Sequence, residues 1–142
     1  MTFSSRHAIS THILMVLACC PNTKASSDML AGSVNTNSVV IRRLLAKLRD
    51  AGLVTVQKGA DGGYTLAKCP KQISLWDVFQ IVEELPLFNS HTSPPSEDCA
   101  VGKCVEKILK EVYKTTENAV RQSLSSSTLA DLVDCVEPTK GF

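Results

Sequence analysis

The feature that most constrains the fold is a change of hydrophobic period in the first half of the chain. Apolar residues recur at helical spacing in three successive segments and then follow a strand-like pattern in two short ones. A glycine-rich turn at residues 59–63 separates those two and is typical of a β-hairpin. The patterns predict helices over 5–20, 27–34 and 38–50, and strands over 53–58 and 64–67. Three helices followed by a hairpin is the order of elements in a winged helix–turn–helix.

The second half of the chain is predicted to be helical. Ser74 and Asp77 form a capping-box pattern, which predicts a helix ending near Glu84. A stretch containing prolines and serines, residues 86–98, predicts a loop. Amphipathic spacing then predicts a long helix over 103–124, and Thr128 begins a last short one. The expected fold class is therefore mainly α with a small β-hairpin.

The net charge of +1 hides an uneven distribution of charge along the chain. Residues 1–75 hold nine Lys or Arg against three Asp or Glu, whereas residues 76–142 hold six against eleven. A basic first half beside an acidic second half indicates that the first half meets an anionic partner. In a winged helix–turn–helix, that partner is expected to be double-stranded DNA.

The third predicted helix supplies candidate DNA contacts. Asn37, Ser38 and Val39 stand at its start, where small groups can approach base edges. Arg42 and Arg43 follow one turn later and are long enough to reach guanine edges or phosphates.

The predicted hairpin adds a cation beside a flexible turn. Lys58 precedes Gly59, so the backbone can come close to DNA while the ammonium group reaches a phosphate or the minor groove. The alternative is a winged-helix module that mediates protein assembly and does not bind DNA. Such modules expose an acidic or apolar third helix, so the basic third helix of this chain favours DNA.

Two specific motifs and three weaker ones carry a family resemblance over nearly the whole chain. The specific pair is VNTNSVVIRR at 34–43 and GADGGY at 59–64; the weaker ones are ISLWDV at 73–78, CAVGK at 99–103 and TLADL at 128–132. Together they resemble the Rrf2 family of bacterial transcription regulators, with its IscR, NsrR and CymR types, and most of all the YwnA-like branch.

The resemblance implies a homodimer in which the long helix of residues 103–124 crosses its partner, and a near-palindromic operator. It implies that Ser38, Val39 and Arg42 meet bases, and that Lys58 and Gly59 enter the minor groove. The full expectation is a winged helix–turn–helix plus a long C-terminal dimerisation helix, acting as a sequence-specific repressor.

Three units are expected on this basis. Residues 1–85 form the winged helix–turn–helix DNA-binding domain, residues 86–102 a linker or sensor loop, and residues 103–142 the dimerisation helix with a short C-terminal helix.

The cysteines leave the sensing chemistry open. Cluster-binding members of the family use three cysteines before the dimer helix, whereas this chain has Cys99 and Cys104 with no third cysteine nearby. No cofactor is expected, but His91, Cys99 and Cys104 are candidates to hold a metal or an iron–sulfur cluster. A redox switch at Cys99, near the predicted start of the long helix where a thiolate is favoured, is a second hypothesis, with Cys104 or a cysteine of a partner subunit as its disulfide partner. Cysteines without a sensing role are a third.

Other classes of protein are disfavoured by what the sequence lacks. It contains no phosphate-binding loop before a helix and no nucleophile motif, so an enzyme is not expected. No apolar run approaches the length of a membrane span. The six scattered cysteines indicate a reducing cytoplasm rather than a disulfide framework.

Overall fold

The computed structural model describes residues 4–137, so the ends of the expected first and last units, 1–3 and 138–142, lie outside the described residues. In chain order the elements are α1 (Arg6–Cys19), α2 (Ser27–Val34), α3 (Ser38–Asp50), β1 (Val54–Gln57), β2 (Gly63–Leu66), a 3-10 turn (Pro70–Gln72), α4 (Leu75–Val82), α5 (Val105–Ser125) and α6 (Leu129–Asp134). The prediction of a mainly α fold with one small hairpin is confirmed.

Short polar side chains begin four of the helices. Asn37 caps α3 by accepting a hydrogen bond from the Val39 N–H, and Ser26 caps α2 in the same manner. Ser74 begins α4 and Thr128 begins α6, each in a complete capping box. These caps satisfy N–H groups that a helix start leaves without partners, which explains why the predicted starts of α2 and α3 match the structure.

The two strands form an antiparallel hairpin with Val54 opposite Leu66 and Gln57 opposite Gly63. β2 has a second neighbour, because Tyr64 forms an isolated bridge with Ala25 in the connection between α1 and α2. The hairpin is therefore tied through β2 to the connection between α1 and α2.

The apolar core lies mainly among the elements of residues 1–85, and α6 contributes to it. Its fully buried side chains come from α1, α2, α3, β1, α4, the residue after the 3-10 turn and α6: Ile13, Leu14, Leu30, Ile41, Leu45, Leu48, Val54, Ile73, Val78, Val82 and Leu129. The apolar stripe of α3 is buried except for the half-buried Val40, whereas Met29 of α2 is exposed. The core needs no disulfide, and the six cysteines are free.

The end of the chain returns to the first half. The Leu75 N–H donates to the Ser127 carbonyl at 3.0 Å, and the Leu129 N–H donates to the Ile73 carbonyl at 2.8 Å. These bonds join the starts of α4 and α6, so α6 packs with the winged-helix core although α5 separates them in sequence.

α5 differs from the other long helices because it has no buried residue in this chain. It begins at Val105 rather than at 103, because residues 99–104 form their own turns, including the bond from the Lys103 N–H to the Cys99 carbonyl at 3.0 Å. No helix within residues 4–137 is both long enough and apolar enough to span a bilayer.

Candidate nucleic-acid interface

α3 has one face in the core and an opposite face in solvent. Ile41, Leu45 and Leu48 are fully buried, whereas Arg42 and Arg43 are exposed. Val39 lies on the exposed face with 46% of its surface accessible. A helix fixed by its apolar stripe thus presents an apolar group and two guanidinium groups outward, the arrangement that a recognition helix needs.

Hydrogen bonds organise the first turn of α3. The Asn37 Oδ1 accepts a hydrogen bond from the Val39 N–H at 2.8 Å and thereby caps the helix. The NH2 group of the Asn37 side chain is then the part that is left to contact a base. The Arg42 Nη2 donates to the Ser38 Oγ at 3.0 Å. This bond holds the guanidinium group over the turn that would enter a groove. No hydrogen bond of the Arg43 side chain is found within residues 4–137.

The tip of the hairpin exposes the predicted cation. Lys58 follows β1 and is exposed, and Gly59 adopts a φ of +107°, which favours glycine. The Gly62 N–H donates to the Gly59 carbonyl at 3.0 Å and closes the turn. A Cβ at Gly62 would lie 2.0 Å from the Gln57 carbonyl oxygen, so the tight turn requires glycine there.

Contacts that the sequence did not reveal hold the hairpin in place. The Ala25 N–H donates to the Tyr64 carbonyl at 3.1 Å, and the Tyr64 N–H donates back to the Ala25 carbonyl at 2.8 Å. The Lys24 Nζ donates to the Asp61 carbonyl at 3.4 Å. Backbone pairing between segments so far apart in sequence leaves no short-range pattern, although Lys24 could have been singled out as another cation at this end of the domain.

The structure brings some predicted DNA residues into contact and leaves others on separate elements. Ser38 and Arg42 are bonded to each other, as are Asn37 and Val39. Lys58 and Gly59 belong to the hairpin. The hydrogen bond of Gly59 described above stays within the hairpin turn and does not reach α3.

Cys99 lies in an exposed turn six residues before α5 rather than at the helix start. The backbone N–H groups of Gly102 and Val101 donate to its sulfur and lower the pKa of the Cys99 thiol. The lowered pKa agrees in direction with the prediction, and its largest causes are the hydrogen bonds from these two backbone amides.

Two of the three candidate metal ligands have other partners nearby. The Cys104 Sγ donates to the Ala100 carbonyl at 3.3 Å, and the His91 Nδ1 lies 3.8 Å from the Glu106 Oε1. Within residues 4–137, no three His, Cys, Asp or Glu side chains are grouped to hold a metal ion. His91, Cys99 and Cys104 of one chain thus do not fit an iron–sulfur cluster or a metal in this arrangement.

α5 carries a stripe of exposed apolar side chains. The exposed fractions are 65% for Val101 just before the helix, 57% for Ile108 and 52% for Val112. Within α5, Val105, Ile108, Val112 and Ala119 recur at spacings of three, four and seven residues, so they lie on one face of the helix, and Val101 continues the spacing in the turn before it. An exposed apolar face of this kind is typical of an interaction surface.

The comparisons with known proteins agree with this geometry. A family model described as Rrf2, iron-dependent transcriptional regulator, matches residues 3–135. The Bacillus subtilis protein YwnA, to which an HTH-type transcriptional regulator role has been assigned, is 36% identical over 92% of this chain and 96% of its own length. The HTH-type transcriptional regulator CymR of the same organism is 30% identical over 75% of this chain and 70% of its own.

Solved structures show the same fold. The structure of Bacillus subtilis CymR, described as the global cysteine regulator, has a TM-score of 0.71 and 27% identity, covering 96% of this chain and 99% of that one. The oxidized form of Staphylococcus aureus CymR has a TM-score of 0.72 and 25% identity over the same shares. The winged-helix fold with a C-terminal helix, the basic α3 and these matches together show that the chain belongs to the Rrf2 family of transcriptional regulators.

Proposed function

We propose that this chain is a homodimeric repressor that reads a near-palindromic operator through α3 and the hairpin. The observation that carries the proposal is the first turn of α3. There, Val39 is exposed and the Arg42 guanidinium group is held by Ser38. An apolar contact suits a thymine methyl group, and a guanidinium group suits a guanine edge.

The proposed division of labour follows the three units of the chain. Residues 1–85 bind DNA, residues 86–102 form the sensor loop, and residues 103–142 provide the dimer contact and the short helix that returns to the core. The major groove is contacted by residues of α3: Asn37, Ser38, Val39, Arg42 and Arg43. The minor groove or its phosphates are contacted by Lys58 and Gly59 of the hairpin.

The exposed stripe of α5 supports the homodimer. Val101, Ile108 and Val112 remain in water unless a second α5 covers them. A two-fold dimer repeats the same patch on both subunits, and it places two recognition helices on a two-fold DNA site.

Oxidation of Cys99 is the proposed signal. Its thiol is exposed, and its lowered pKa provides thiolate, the form that oxidants attack. A related protein is described in an oxidized form, the Staphylococcus aureus CymR, which makes redox control a reasonable extension to this chain. A peroxide would oxidise the Cys99 thiolate to a sulfenic acid as its own O–O bond breaks, and the Cys104 thiol would then displace water from that sulfur to form a disulfide, which would move the turn that precedes α5.

The iron–sulfur alternative, using His91, Cys99 and Cys104, has weaker support. The family description includes iron dependence, but the three side chains do not converge within one chain. We therefore derive no step through a cluster. An absorption spectrum of anaerobically purified protein tests this alternative, because a cluster gives visible colour.

The proposal is tested by gel shift on DNA selected from a random pool, at about 50 and 200 mM salt. We expect a specific complex that weakens with salt, and weaker binding by Arg42→Ala and by Lys58→Ala. Lys71→Ala, which removes an exposed cation from the 3-10 turn, is the matched control and is expected to bind normally. Failure to shift any DNA at either salt concentration would favour the protein-assembly module instead.

A further inference from the structure

A groove of about 940 Å³ lies between the segment after α4 and one side of α5. Residues 86 and 88–91 form one wall, and α5 forms the other wall. The groove is of the size that small ligands occupy and is separate from both α3 and the hairpin.

The α5 wall is basic. Lys107, Lys110 and Lys114 line the groove, and their spacing places them along about 10 Å of one helix face. Within residues 4–137, none of these three ammonium groups lies within 4.0 Å of a carboxylate oxygen; the ion pairs formed there involve Arg6, Arg49 and His91.

The two glutamates beside these lysines are already used to hold the opposite wall. The Ser90 Oγ donates to the Glu106 Oε1 at 2.6 Å, and the Leu87 N–H donates to the Glu117 Oε1 at 2.6 Å. The carboxylates therefore fix the segment to α5, while the lysines of the same groove keep their charge available.

An aromatic pair adds a flat apolar surface. The rings of Phe88 and Tyr113 stack with centroids 4.8 Å apart and an angle of 15°, and Phe88 is exposed. Pro86 and Leu109 extend this surface. A flat ring can pack on these groups while an acid group attached to it reaches a lysine.

We propose that this groove binds a small organic anion with a flat apolar body, whose carboxylate or phosphate pairs with Lys107, Lys110 and Lys114. The occupant is not a second α5, because at 100° per residue Lys110 lies about 200° around the helix from Ile108 of the exposed stripe. The concave shape and the aromatic wall favour a small ligand over the DNA backbone, which would need only the charges. This inference adds a ligand site to the proposed regulator and does not depend on DNA binding.

The test is calorimetric titration of the full chain with three probes: 1-naphthoate, 1-naphthyl phosphate and the neutral 1-naphthamide. We expect one site per chain whose affinity for each of the two anions is about tenfold higher than its affinity for the amide. A hydrogen bond between charged groups contributes about this factor to affinity. The carboxylate and phosphate arms identify which acid the site prefers. Equal affinity for anion and amide, or no binding of either anion at millimolar concentration, would overturn the proposal.

Variants locate the bound probe. Lys110→Ala is expected to weaken the anions by about tenfold and leave the amide unchanged, whereas Phe88→Ala should weaken all three. Lys103→Ala removes the same charge outside the groove and should match the wild type. If Lys103→Ala and Lys110→Ala weaken the anions equally, the binding is diffuse attraction to the basic helix, as for DNA, and the groove is not the site.

Discussion

α3 and α5 are both amphipathic helices with basic residues, but they differ in what their apolar faces contact. The α3 stripe is fully buried inside the chain, with Ile41, Leu45 and Leu48 at zero exposure. α5 has no buried residue, and Ile108 and Val112 remain more than half exposed. The chain thus buries the apolar face of α3 by itself, whereas it leaves the apolar face of α5 uncovered. This difference separates a helix whose exposed face is basic from one whose exposed face is also apolar, which is the basis for proposing that DNA reading and assembly belong to different helices.

The largest expected effect is a loss of stability when a side chain of the buried apolar core is shortened. Leu45→Ala should lower the free energy of unfolding by about 2–5 kcal/mol, because it removes a fully buried side chain and leaves a cavity. Urea denaturation measures the change. Val39→Ala on the opposite face of α3 is the control, and it should shift stability by no more than about 0.5 kcal/mol. Similar losses for both variants would contradict the two-faced account of α3.

A charge on the α5 stripe should break the assembly without unfolding the first half. Ile108→Lys places an ammonium group at the proposed contact in both subunits. We expect the dimer dissociation constant to rise by about 100-fold, since two isoleucine contacts are lost. Sedimentation velocity over a range of concentrations measures it. A variant that keeps the wild-type mass at every concentration would show that α5 is not the dimer contact.

A smaller loss of stability is expected when the contact between the starts of α4 and α6 is weakened. Ser74→Ala removes the side chain that accepts from the Asp77 N–H at 3.0 Å and should cost about 1 kcal/mol of stability. Ser74→Asp, which keeps an acceptor at the cap, should recover most of the loss. If the aspartate variant is no more stable than the alanine variant, the side-chain cap of α4 does not stabilise this contact.

The smallest expected effect is a difference in reactivity between two cysteines, Cys19 in α1 and Cys99 before α5. The pKa of Cys19 in α1 is raised, first by burial and then by the neighbouring Cys20, whereas the pKa of Cys99 is lowered by two backbone N–H groups. Thiolate therefore forms at lower pH on Cys99 than on Cys19, and alkylation increases with the thiolate fraction. Mass spectrometry after brief iodoacetamide treatment at neutral pH should find Cys99 labelled first. Labelling of Cys19 before Cys99 would remove the basis for a thiol switch.

Most of α3 and α5 was predictable because the signals of a helix are local. Asn37 caps α3 through a neighbour two residues away, and the apolar stripe of α3 has helical period, so both its bounds and its buried face follow from the sequence. The start of α5 was predicted two residues early, because the turns of residues 99–104 continue the amphipathic pattern without helical geometry.

The contacts that depend on distant residues were not predictable. The pairing of Ala25 with Tyr64 and of Ser74 with Thr128 joins segments far apart in sequence, which no periodicity records. The same limit applies to the candidate ligand set: the spacing of Cys99 and Cys104 suggested a shared site, but the Cys104 thiol bonds to the Ala100 carbonyl. The role of Arg42 and Lys58 at DNA stays a prediction, since it concerns a partner molecule.

The central claim, that α3 reads DNA and α5 does not, is tested most directly by removing equal charge from the two helices. Arg42→Ala/Arg43→Ala and Lys103→Ala/Lys107→Ala each remove two positive charges from exposed positions. Fluorescence anisotropy with the selected operator at fixed salt compares both variants with the wild type. We expect about 100-fold weaker binding for the α3 pair, since each arginine–base contact contributes about 1–3 kcal/mol, and less than about threefold for the α5 pair. Equal loss in both variants would mean that net charge alone determines affinity and would contradict the assignment of α3 as the recognition helix.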